Sequence, residues 1–344
     1  MRIAHFSAVI AFALTPISLG AFEIESQKFY ESTYNEVVLR IISTADIDVF
    51  EPIILEFQRI HPTIDVEYVI ASSTELMKAI YEEDAVFDLA ISSAMDLQTK
   101  LANDGYARTY VSDTTRALPS WAKWRDQIFA FTQEPAVMVI SDKYFTDSPP
   151  PTTREELITL LRNEPDRFTG RVGTYDIRRS GAGYLFATQD SRNTDSYWRL
   201  TEVMGRLDAK LYSSSADMIS DVADGHLALA YNVVGSYAAS RLGSTPGIRI
   251  VPFVDFLSVM LRTVLIPKTA ANPVQSGLMI DFLAELNSRP YLTELTNLPP
   301  INRDELEANS AARPIRLGPE LLVFLDRLKK ETFVRSWVSS IEQE

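Results

Sequence analysis

From Val38 onward the chain alternates apolar, β-branched runs with segments of helical periodicity, and this alternation constrains the fold more than any single motif. Val38–Ser43 (VLRIIS) reads as a strand, and Val49–His61 carries Phe50, Ile53, Ile54, Phe57 and Ile60 at helical spacing. Pro52 falls in the first turn of that helix, where a missing N–H costs little. Thr63–Ala71 alternates as a strand, Ser73 or Thr74 caps a helix running to Glu82, Phe87–Ile91 is a third strand, and Met95–Asn103 is a helix closing at Gly105. The same order then recurs. Strands are expected at Ala136–Ile140, Arg171–Tyr175, Leu227–Tyr231, Ile248–Val254 and Ser258–Leu265. Helices are expected at Glu155–Asn163, from Gly183, at Ser196–Leu207, Ala216–Asp224 and Asn272–Leu286, and in the tail at Pro319–Lys329 and Thr332–Ile341. Such an order predicts βαβ units, a parallel sheet and an α/β fold class. Residues 22–37 read as a polar lead-in, with the fold beginning at Val38.

Ahead of this lies a segment of another kind. Arg2 and His5 form a short basic start, Ala8–Leu14 (AVIAFAL) is an apolar run, and Pro16, Ser18, Gly20 and Ala21 supply a turn and small residues. That is the layout of a secretory signal peptide, expected to be cleaved after Gly20 or Ala21. The run is shorter than the roughly 20 residues that span a bilayer, which argues against a membrane anchor. No Cys near the boundary marks a lipid-anchored form, and no later stretch is apolar enough to insert stably in a membrane. An exported, soluble, monomeric chain with length enough for two domains is the expectation. A count of 0 Cys excludes disulfides and thiolate metal sites. A net charge of −13 argues against nucleic acid as a partner. It does not bar an anion from a cleft, where backbone N–H groups and one or two arginines suffice.

Six segments share a family likeness. They are STADIDVFEPIILEFQRIHPTIDVEYV from Ser43, FDLAISSAMD from Phe87, FTGRVGTYDIRRSGAGYLFA from Phe168, DGHLALAYNVVGSYA from Asp224, LIPKTAANPVQSGLMIDFL from Leu265 and LLVFLDRLKKETFVRSW from Leu321. In their order and spacing the chain resembles the extracellular solute-binding proteins of ABC importers, in the branch of ferric-ion, sugar-phosphate and phosphoglycerate receptors. The resemblance implies a two-lobed, periplasmic-binding-protein-like fold of type II with a ligand cleft between the lobes. It places lobe 1 at residues 38–132 plus 252–290, lobe 2 at 133–251 and C-terminal helices, 291–344, packing back on both. It further implies a periplasmic location, hinge closure on a small ligand, no catalysis and no cofactor. The implied partner is an inner-membrane ABC permease or, in the same fold, a membrane histidine kinase that reads the ligand state.

In open α/β sheets ligands sit beyond the carboxyl ends of the strands. Ser43–Thr44, Ser72–Ser73 and Ser92–Ser93 each end a strand and precede a helix, so their free N–H groups favour an anion. N-capping is the other ordinary use of such residues. The segment Tyr175–Tyr184 is sharper. Arg178 or Arg179 offers bidentate contact to phosphate or carboxylate, beside Asp176, while Ser180 and the Gly181 and Gly183 amides form a cradle. An exposed turn with solvated arginines is the competing reading. The resemblance places another ligand-contacting loop at Tyr231–Tyr237, including Asn232 and Ser236. Ferric-binding relatives carry adjacent tyrosines there, but Tyr237 stands between Ser236 and Ala238, so the tandem pair is absent. With His61 and His226 as the only histidines after the signal segment, a small anionic solute, phosphorylated or carboxylate, is expected ahead of ferric iron, and no metal site. Glu134, at the expected hinge with Gln133 and Pro135, meets a ligand hydroxyl or pairs with a hinge arginine. Trp121 and Trp124 line the cleft or serve packing. The absence of G-x-S-x-G, and of a histidine in a useful setting, argues against a hydrolase.

Overall fold

The computed structural model describes residues 21–146, 149–243 and 245–343, and the expected signal segment lies outside them as far as Gly20. Twelve strands form a continuous sheet system: β1 Ser26–Tyr30, β2 Val37–Ser43, β3 Ile64–Ile70, β4 Leu89–Ser92, β5 Lys123–Trp124, β6 Ile128–Ser141, β7 Val172–Tyr175, β8 Lys210–Tyr212, β9 Leu229–Val234, β10 Ile248–Val251, β11 Leu257–Leu265 and β12 Ala312–Pro314. Along its main path the order is β1-β3-β2-β4-β11-β6-β9-β7-β8. Two lobes of α/β structure share the long strand β6.

In the first lobe β2 runs parallel to β3 and β4, as expected of βαβ units. The helix Ile47–Ile60 buries Phe50, Ile53, Ile54 and Phe57 on one face, against Leu39, Ile41, Met279 and Ile280. The sheet is mixed rather than parallel, because β11 runs antiparallel to both β4 and β6. The polar lead-in also contributes structure: β1 adds antiparallel to β3, Ser26 facing Ile70 and Tyr30 facing Val66. Its side chains are exposed except Tyr30, so an edge strand with little to bury carried no hydrophobic alternation.

β6 joins the lobes. Phe129 to Pro135 pair with β11, and from Ala136 onward the partner is β9, with β10 on the other edge. Proline has no N–H to give to a ladder, and Pro135 stands where the strand exchanges one partner for the other. The second lobe packs Met138, Leu157, Leu161, Phe168 and Leu200 into its own core.

The tail differs from its expected shape. Pro319–Leu325 is a 3₁₀ segment, and Asp326 then caps a separate helix, Arg327–Ile341, its side chain accepting from the Lys329 N–H at 3.1 Å. That helix lays Phe333 over Tyr197 with ring centroids 6.3 Å apart. Gly205 permits the approach: a Cβ there would lie 2.3 Å from the Ser340 carbonyl oxygen. Among the described residues no helix is long and apolar enough to cross a membrane.

Candidate functional site

At the crossing, Glu134 on β6 and Arg262 on β11 are diagonal neighbours, since Glu134 faces Met260 and Thr132 faces Arg262. Both side chains are buried, at 0% and 1% exposure. Arg262 Nε donates to Glu134 Oε1 at 2.9 Å and Nη2 to Oε2 at 3.1 Å. The Thr132 hydroxyl also donates to Oε1, at 2.8 Å, and the Ser236 hydroxyl donates to Oε2. The carboxylate is thus saturated, whereas Arg262 Nη1 is buried with no partner among the described residues. Leaving such a donor unpaired costs about 1–3 kcal/mol, more for a charged group. The position therefore favours an acceptor arriving from outside the chain.

Arg262 lies at the floor of a cleft of about 440 Å³ between the lobes. The first lobe contributes Glu25, Thr44, Asp46, Ser72, Ser73 and Ser93 to its walls. Tyr175, Arg179, Ser180, Ser213, Ser214, Ser215, Asp217 and Tyr237 come from the second. The lobes touch across it. The Gly181 N–H donates to Ser73 Oγ at 3.1 Å, and the Asp46 N–H donates to the Tyr237 hydroxyl at 3.3 Å. Burial pushes the Tyr237 phenol up to about 12, and burial likewise raises Tyr175, whose hydroxyl bonds to Ser215. Burial also raises the Asp46 carboxyl, against the pull of Arg262 and Arg241, and Asp48 and Asp217 push it the same way as burial.

Of the residues singled out in the sequence, Thr44, Ser72, Ser73, Ser93, Arg179, Ser180 and Tyr237 come together around this cleft. Ser72 and Ser180 also act as N-caps, accepting from the Glu75 and Gly183 N–H groups. Ser43 and Ser92 are buried beneath the turns instead: Ser43 Oγ accepts from the Tyr68 hydroxyl and the Ala45 N–H, and Ser92 Oγ from the Ala94 N–H. Arg178 folds away from the cleft, with Nε and Nη2 on Asp176 at 2.8 Å each and Nη1 on Glu342 at 2.7 Å. Burial would raise the Asp176 carboxyl, but Arg178 outweighs it and holds the group below its ordinary value. Asp176 is thereby committed within the chain. The Gly181 amide is taken by Ser73. Gly183 packs on Tyr175, where a Cβ would lie 2.3 Å from the Tyr175 Cβ.

The expected Tyr231–Tyr237 loop does not exist as a loop, because β9 runs to Val234 and a helix starts at Gly235. Tyr231 and Asn232 sit at a bulge in β9, with Asn232 at φ 62°. Both donate to Asp190 Oδ2 at 2.7 Å, and Arg154 Nε donates to the Tyr231 hydroxyl at 2.8 Å, in a buried network behind the cleft. Ser236 holds Glu134 at the hinge. Trp121 lines a different cavity, beside Arg316 and Leu317.

Sequence reasoning did not single out Arg262, Asp46, Glu25 or the Ser213–Ser215 run as site residues. Two of these left a signal: a lone arginine in the apolar run SVMLRTVL implies a buried partner, and Ser213–Ser215 repeats the hydroxyl-rich turn before a helix. Among the described residues, the acids and histidine grouped closely enough to share a metal ion, Asp221, Asp224 and His226, lie outside the cleft. Chemically, the cleft offers a buried guanidinium, a second arginine, a set of hydroxyls and three carboxylates, a set suited to binding.

No family model matches the chain, and no curated protein does. Solved structures do. The substrate-binding protein of an ABC transporter from Agrobacterium tumefaciens is 32% identical, with a TM-score of 0.87 over 92% of this chain and 98% of that one. The periplasmic binding protein AfuA from Actinobacillus pleuropneumoniae, solved with fructose-6-phosphate, is 13% identical with a TM-score of 0.72, covering 90% of this chain and 100% of its own. Iron-bound HitA from Pseudomonas aeruginosa is 16% identical with a TM-score of 0.68, covering 88% and 99%. The last two likenesses are of fold.

Proposed function

This chain belongs to the substrate-binding proteins of ABC transporters, and from that premise we propose that it captures a small anionic solute, phosphorylated or carboxylate, in the periplasm for an inner-membrane permease. The observation that carries the anionic reading is the buried Arg262 with an unpaired Nη1 at the floor of a cleft rich in hydroxyls. An incoming phosphate or carboxylate oxygen relieves that donor, and Arg179 and the Ser/Thr turns supply further donors. Against ferric iron stands the absence of a second tyrosine beside Tyr237, since a pair of phenolates suits that hard ion. Capture and release leave the solute unchanged.

We assign lobe 1 to residues 38–132 plus 252–290, extended at its front by Glu25 and β1, lobe 2 to 133–251, and residues 291–344 to a tail packed on both, with export directed by the segment ending at Gly20 or Ala21. The lobes close because a solute touching both walls has higher affinity for the closed state, and only that difference can shift the equilibrium. The test is a thermal-shift screen of phosphorylated sugars, phosphoglycerates, di- and tricarboxylates and ferric citrate. A true ligand at a hundred times its Kd stabilises by about 2.7 kcal/mol. A response to an organic anion is expected. A response confined to the ferric ion overturns the reading.

A further inference from the structure

The charges lining the cleft do not suit an anion throughout. Arg262 and Arg179 are opposed by three carboxylates, Glu25, Asp46 and Asp217. Glu134, paired with Arg262, offsets that guanidinium and so enlarges the acidic excess. No ion pair within the described residues holds Glu25, Asp46 or Asp217, and the Ser214 hydroxyl donates to Asp217 at 2.9 Å. The three are near enough to act on one another. Burial raises the Glu25 carboxyl, and Asp46, Glu23 and Asp217 raise it further.

They also come from both sides of the cleft. Glu25 directly precedes β1, its N–H donating to the Ile70 carbonyl at 2.9 Å, and Asp46 follows β2. Asp217 lies in the first turn of the second-lobe helix Ser215–Ala223. Closing the lobes therefore brings like charges together. A solute bearing only negative charge would leave that repulsion in place, whereas a cationic group between the walls turns it into attraction that exists only in the closed state.

We propose that the solute is a zwitterion, with an oxyanion held by Arg262, Arg179 and the hydroxyl-rich turns and an ammonium group held among Glu25, Asp46 and Asp217. This rests on the anionic reading above, whose support is independent of the acids: the unpaired Nη1 of a side chain 1% exposed.

The experiment is isothermal titration of matched pairs against the intact mature chain. O-phosphoethanolamine is compared with ethyl phosphate, 4-aminobutyrate with butyrate, and ethanolamine and Ca²⁺ are titrated alone. In at least one pair the aminated member is expected to bind about tenfold tighter, the worth of one hydrogen bond between charged groups. Asp217→Asn, an exposed position, should shrink the difference in affinity within that pair. Equal affinities within the pair that binds overturn the zwitterion while the anionic reading stands. Binding of ethanolamine with neither phosphate nor carboxylate overturns the anionic reading itself. A response to Ca²⁺ alone, lost in Asp217→Asn, makes the acids a cation site and overturns the proposal.

Discussion

Replacing Gly181 by alanine tests lobe closure directly, because the nearest neighbours of the new methyl group would belong to the other lobe. Its Cβ would lie 2.4 Å from Ser73 Oγ, and 3.0 Å from both the Ser73 and Ala94 Cβ atoms. Ser73 can rotate its hydroxyl away at the loss of its bond from the Gly181 N–H, but the two Cβ atoms are held by backbone. Overpacking of this kind costs roughly 1–3 kcal/mol. Opening the lobes relieves the clash, so the cost falls on the closed, liganded state. At 1.4 kcal/mol per decade, Kd should rise roughly 5- to 150-fold. The unliganded protein should not suffer. Gly181 opens the helix Gly181–Asn193, where alanine is favoured over glycine by up to about 1 kcal/mol. Calorimetric titration with the solute found by screening, beside a melt of the unliganded protein, separates the two effects. Ser73→Ala in the same chain removes the 2.4 Å contact and should recover part of the affinity. Wild-type affinity in Gly181→Ala, or a loss of affinity matched by a loss of unliganded stability, would refute the reasoning.

Other substitutions probe the remaining contacts. Arg179→Ala should weaken binding about tenfold, the worth of one charge-assisted contact, whereas Arg178→Ala, which loses pairs with Asp176 and Glu342, should leave Kd within twofold. Tyr231→Phe should lower stability by about 1–3 kcal/mol in urea unfolding, because it takes one hydrogen-bond partner each from the buried Arg154 and Asp190, with no change in Kd. Asp96 is buried, and burial lifts its carboxyl to about 6 against bonds from its own turn and the attraction of Lys330. Its folded value exceeds the unfolded one, so between pH 3.8 and about 6 the folded state holds the extra proton and this group's stabilisation is lost as pH rises. Asp96→Asn should then stabilise the protein by up to about 3 kcal/mol at pH 7.5 and by little at pH 4, and an equal gain at both would exclude the mechanism.

Element types and much of the cleft wall were legible because both rest on local rules. The helix Met95–Asn103 follows from side-chain period alone, and the Ser/Thr turns at Thr44, Ser72–Ser73 and Ser93 from capping chemistry within a few residues of each strand end. Absence of a tyrosine pair beside Tyr237 is likewise a statement about neighbours in the chain.

Strand direction, the choice between Arg178 and Arg179, and the floor of the site depended on partners far away in sequence. Period is blind to direction, so β11 read as one more strand of a parallel sheet until its antiparallel pairing with β4 and β6 was seen. The family resemblance placed Asn232 and Gly235 in a loop, but the first serves a bulge within β9 and the second opens a helix. Glu134 was visible as an acid awaiting a hinge arginine, yet its partner, Arg262, lies 128 residues on and its third contact, Ser236, 102. Composition and period thus determined that the chain is built of α/β units with hydroxyl-rich strand ends. Only the tertiary structure decided which charges face one another across the cleft, because opposing walls are assembled from segments whose spacing along the chain carries no periodic signal.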